Sequence, residues 1–152
     1  MKKSFTMQAS SNLLGAIVTV GIYALNILLF IFRLLGRPEF GHRIASIQFL
    51  TVIPLVYLLL KAPRPERPVL YYLQIGLMLI FLMVELLLDY VLVIEFRQVG
   101  WMVIGYVMLF FAATGGMLGV AAKAGRTWTI SAVILFLAMA VLAFVQRAVT
   151  GL

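Results

Sequence analysis

The chain has 152 residues, 64% of them hydrophobic, with 12 basic and 5 acidic side chains. A mean hydropathy of +1.14 and a charged fraction of 11%, less than half the roughly 25% usual in soluble domains, exclude an ordinary water-soluble fold and make a bilayer the expected solvent. No cysteine and a single histidine exclude disulfides, thiolate chemistry, iron–sulfur clusters and a two-histidine metal site within one chain, so no cofactor or metal is expected.

A helix rises about 1.5 Å per residue and the hydrocarbon core is about 30 Å thick, so apolar runs of about 17–25 residues read as spans. Five such runs, at 13–35, 44–60, 69–94, 101–122 and 128–146, predict an all-α fold. The whole chain, 1–152, is then one integral membrane bundle of antiparallel helices joined by short links.

The first run follows Lys2 and Lys3 as a signal peptide would, but it is too long and ends in RLLGRPEF, so it is expected to stay as a span. Asn12, Thr19, Asn26 and Arg33 recur along it every seven residues and form one polar stripe. For Thr19 and Asn26 the plainest use is hydrogen bonding between helices, at about 0.6 kcal/mol each. Beyond Gly36-Arg37-Pro38 lies His42, beside Glu39 and Arg43; histidine is the residue type suited to proton shuttling at physiological pH. The second run is short and carries Pro54, which frees the Leu50 carbonyl; four spans plus a re-entrant segment is the alternative arrangement. The Pro-rich segment APRPERP at 62–68 then turns the chain.

The third run is the most informative. Glu85 and Asp89 are four residues apart and share a helix face with Gln74, about 5 Å and about 10 Å from the midplane of a span centred on the whole run. A carboxylate at that depth costs roughly 2.5–3.5 kcal/mol on the insertion scale, so two need a partner, a proton or a wet cavity. Ending the membrane near Leu88 would leave Asp89 and Glu95 wet, but not Glu85. With five spans, this acidic end lies on the same side as Arg33, the expected partner of one of the two acids. Burial favours the neutral form of Glu85 and a guanidinium its charged form.

In the fourth run Gly115 and Gly119 form a small-xxx-small pair suited to close helix packing, within the chain or against a second copy. The fifth is Ala-rich and nearly free of polar residues before Gln146 and Arg147. Trp101 and Trp128 stand at span starts, where interfacial aromatics belong. Seven basic residues fall on the N-terminal side (Lys2, Lys3, Lys61, Arg64, Arg67, Lys123, Arg126) and five on the other (Arg33, Arg37, Arg43, Arg97, Arg147), favouring a cytoplasmic N-terminus in a bacterial inner membrane. These charges sit at span ends, where they meet lipid headgroups rather than nucleic acid.

Three functions fit. The first is proton- or cation-linked transport of a small solute at Glu85, Asp89 and Arg33, with Asn26, Gln74 and His42 as further ligand candidates. The second is a non-catalytic subunit, in a homo-oligomer or a larger membrane complex. The third, an enzyme acting on a lipid-soluble substrate, is weakest, because no nucleophile or metal set accompanies the carboxylates. No motif assigns the chain to a family.

Overall fold

The structure, a computed structural model, describes residues 2–62, 67–93 and 99–150, and every regular element in them is helical. The centre of the 62–68 turn and Glu95, Arg97 and Gln98 lie outside the described residues, so Arg64 and Arg97 enter the charge count by sequence alone.

Helix α1 (Lys2–Leu34) ends where Gly36 takes φ +68°. The Gly36 N–H donates to the Arg33 carbonyl (3.1 Å) and the Arg37 N–H to the Phe32 carbonyl (2.9 Å), a Schellman pair that favours glycine. Pro38 then opens α2 (Pro38–Gln48), where its missing N–H costs nothing, and Glu39 in the first turn suits the positive end of the helix dipole. A 3-10 turn at Phe49–Thr51 carries α2 into α3 (Val52–Lys61). Pro54 cannot bond back to Leu50, and the turn just before it is tightened: the Val52 N–H reaches the Phe49 carbonyl and the Thr51 hydroxyl donates to the Gln48 carbonyl at 2.6 Å.

Residues 39–61 thus form one apolar helical run of 23 residues, long enough to cross a membrane. The apolar run starts only at 44, because Glu39, His42 and Arg43 have the composition of a loop, yet these three residues form the first turns of the helix. Helix α4 (Val69–Leu86) widens into a π-helical turn at Leu87–Val91, closed by the Leu92 N–H on the Leu87 carbonyl (2.8 Å). Val93 follows at φ +49°, a region that β-branched residues rarely enter, so the regular span stops at 91 rather than 94. Helix α5 (Gly100–Ala122) turns at Gly125, φ +114°, into α6 (Arg126–Thr150).

Among the described residues five helices are long and apolar enough to cross a membrane. Half of the α1 span is buried against only 11% of α6, which makes α1 the central helix and α6 a peripheral one. Helix α1 packs on α2, α3, α5 and α6, while α4 lies against α3 and α5. Gly15 permits the close approach of α1 to α5, since a Cβ there would stand 2.8 Å from Val120 Cγ1. The core is built from Ile22 and Tyr23, Leu55 and Leu58, Ile75, Met78 and Phe81, and Met117. Outside, Leu73, Ile80, Leu137 and Val141 are exposed. An apolar exterior of this kind needs lipid around it, and the chain is an integral membrane helical bundle.

Candidate functional site

The polar stripe of α1 divides into two parts. The Thr19 hydroxyl is shared between its own Gly15 carbonyl (2.8 Å) and the Met117 carbonyl of α5 (3.3 Å). Four residues on, the Tyr23 hydroxyl donates to the Thr114 carbonyl at 2.6 Å. Both side chains are fully buried and tie α1 to α5. Further along, Asn26 and Arg33 line a cavity. The Asn26 amide is held by the Ile22 carbonyl of its own helix at 2.9 Å.

The cavity has a volume of about 130 Å³ and lies among α1, α4, α5 and α6. Its polar lining is Asn26 and Arg33 from α1, Glu85 from α4, Tyr106 from α5 and Arg147 from α6. Glu85 is buried, with 5% of its surface exposed. The remaining wall is apolar and largely aromatic. Phe30 meets Phe110 edge-on (6.0 Å), Phe110 meets Phe111 (5.2 Å), and Phe111 stacks on Phe144 (5.7 Å). Each such pair contributes about 0.5–1.5 kcal/mol beyond its buried area, so the wall is preformed. Val107 and Phe144 also reach the outer surface, and between α5 and α6 the cavity therefore borders lipid. Glu85, shielded from water, and the guanidinium groups of Arg33 and Arg147 thus line one small cavity.

Asp89 lies in the π-helical turn and is not part of the cavity lining. Its neighbour Tyr90 is within electrostatic reach of Glu85, Asp89 and Arg33. The Tyr90 ring stacks on His42 (4.5 Å), and its hydroxyl donates to the His42 carbonyl (3.0 Å) and lies 3.1 Å from the Ser46 hydroxyl. Phe49 meets the same ring edge-on at 5.2 Å. These contacts seat the acidic end of α4 on α2. His42 itself is exposed and does not line the cavity. Gln74 sits elsewhere, in the glycine groove of α5: it lies 3.5 Å from where a Cβ on Gly116 would stand, and its amide occupies the space that a Cβ on Gly119 would fill. Gly115 faces Phe136, 3.9 Å from the same construction.

Of the six ligand candidates read from the sequence, then, Asn26, Arg33 and Glu85 come together, whereas Asp89, Gln74 and His42 lie outside the lining. Tyr106, Tyr90 and Arg147 were not singled out by the sequence reading. Tyr106 stands one turn from Phe110 on α5 and Arg147 one turn from Ala143 on α6, and only the fold shows that these faces line the cavity. Among the described residues no three His, Asp or Glu side chains are grouped so as to hold a metal ion. Compared with known proteins, the chain matches no family model, no curated protein and no solved structure.

Proposed function

We propose that this is a small proton-linked membrane carrier, in which Glu85 takes up and releases a proton as a solute enters and leaves the cavity. The supporting observation is the convergence of a buried acid, two guanidiniums, an amide and a phenol on one preformed aromatic pocket from four different helices. A carrier needs a group whose charge changes with occupancy, and Glu85 is buried where such a change costs most. The proposed location is a bacterial inner membrane, and the distribution of Lys and Arg supports an N-terminus in the cytoplasm. That orientation puts the cavity nearer the outer face, where α1, α4 and α6 end. The alternative of an assembly subunit takes the polar stripes and the glycine groove of α5 as contact surfaces; Gln74 of the same chain lies against Gly116 and Gly119 in that groove, which is why the carrier reading is preferred.

The test is reconstitution in vesicles loaded with a pH-sensitive dye, challenged with a panel of small acids, amines and neutral solutes. At least one solute should drive proton movement through the wild type and none through Glu85→Gln. Equal proton movement in both proteins counts against the proposal. So does a Glu85→Gln chain that unfolds and is rescued by Arg33→Met, because Glu85 is then half of a structural ion pair.

A further inference from the structure

We infer that the solute is a compact amphipathic anion, one carboxylate on an apolar group about the size of a single ring, with the carboxylate held between Arg33 and Arg147. The role of Glu85 in this inference rests on the carrier reading; the charge and size of the ligand do not.

Charge comes first. The lining carries two guanidiniums and one carboxyl, so it is cationic whether Glu85 is ionised or neutral. A cation would enter against Arg33 and Arg147, whereas a carboxylate meets two planar forks suited to it. Size is set by the volume: about 130 Å³ is close to the roughly 150 Å³ apolar cavity known to take benzene. A long acyl chain does not fit within it. Shape follows from the walls, because Phe30, Phe110, Phe111 and Phe144 offer ring faces and edges to a flat apolar group. Access follows from Val107 and Phe144, exposed where the cavity borders lipid. An amphiphile dissolved in the bilayer can enter there with its apolar end in the membrane and its charge towards Arg147, which is itself exposed.

Binding of such an anion involves a proton. Glu85 is faced by Arg33 from α1, Tyr106 from α5 and Arg147 from α6, with Asp89 and Tyr90 nearby on the π-helical turn. A second carboxylate entering this small volume cannot cheaply coexist with an ionised Glu85. One proton is therefore taken up from water as the anion binds, and it resides on Glu85. No covalent bond is made or broken.

The full-length protein in lipid nanodiscs, with empty nanodiscs as reference, is tested with three probes of one shape: benzoate, benzylammonium and toluene. Benzoate should bind at least tenfold more tightly than benzylammonium. Its dissociation constant should fall by up to tenfold for each pH unit of acidification, the limit for linkage to one proton. Glu85→Gln should flatten that pH dependence, with toluene binding reporting that the pocket is folded. Arg147→Gln should weaken benzoate at least tenfold and leave toluene unchanged, toluene binding reporting that the pocket is still folded. Tighter binding of benzylammonium, or benzoate affinity unmoved by Arg147→Gln in a protein that still binds toluene, overturns the inference. If benzylammonium wins while Glu85-dependent proton movement persists, the anion assignment alone fails. If benzoate binds as expected but drives no proton movement in vesicles, the carrier reading alone fails.

Discussion

Tyr23 and Thr19 make similar contacts with α5, but their geometry predicts different costs of removal. Tyr23 gives its whole hydroxyl proton to Thr114 at 2.6 Å, whereas Thr19 shares its proton with a carbonyl of its own helix. Tyr23→Phe should therefore cost about 1–2 kcal/mol and Thr19→Val about 0.5 kcal/mol, the upper and lower parts of the range for hydrogen bonds within membranes; unfolding in mixed detergent micelles would measure both. Gln48 makes the opposite prediction. It is 1% exposed, and neither of its amide atoms has a hydrogen-bond partner among the described residues. A buried, unpartnered amide costs about 1–3 kcal/mol, so Gln48→Met should raise stability by about 1 kcal/mol in the same assay. An unchanged or lowered stability would show that the amide is satisfied in the membrane. At this scale the sequence was informative where polarity is rare: a Glu, an Asn and an Arg in apolar runs could be picked out, and all three line the cavity. Arg147 could not, because an arginine at the end of a span looks the same whether it reaches for headgroups or turns toward a pocket.

Helix boundaries were legible where the chain is forced to turn, at Gly36 with Pro38 and at Gly125. They were not legible where one helical geometry passes into another. Neither the 3-10 turn before Pro54 nor the π-helical turn after Leu86 breaks the hydrophobic pattern, yet the second alters the register of Asp89 relative to Glu85. The glycine pair of α5 shows a further ambiguity. Small residues reveal that something approaches closely, but not what, and here it is the side chain of Gln74. Gly119→Ala should be nearly neutral, because the end of the flexible Gln74 side chain can swing aside. Gly119→Ile should destabilise the isolated chain by about 1–3 kcal/mol, as overpacking does. Adding Gln74→Ala should recover most of that loss. A Gly119→Ile protein as stable as the wild type but shifted in oligomeric state would mean that the groove serves a second copy instead.

For the molecule as a whole, five helices long and apolar enough to cross a membrane predict that residues 2 and 150 lie on opposite sides of it. Reporter fusions after Lys61 and at Leu152 should accordingly give opposite readings, with the Lys61 fusion cytoplasmic in the proposed orientation. The central place of α1 also bears on how the protein is made. Tyr23 waits for Thr114, 91 residues further along the chain, which at ordinary rates of synthesis, about 5–20 residues per second, is an interval of about 5–20 s. During that interval Thr19 and Tyr23 are without the α5 carbonyls that they meet in the finished protein. A chain stopped at residue 93 should be cleared by quality-control proteases within minutes, whereas one continued through residue 122 should persist, a difference that pulse-chase labelling would record. The helix inserted first is thus among the last to be secured, because the carbonyls that Thr19 and Tyr23 meet arrive only with α5.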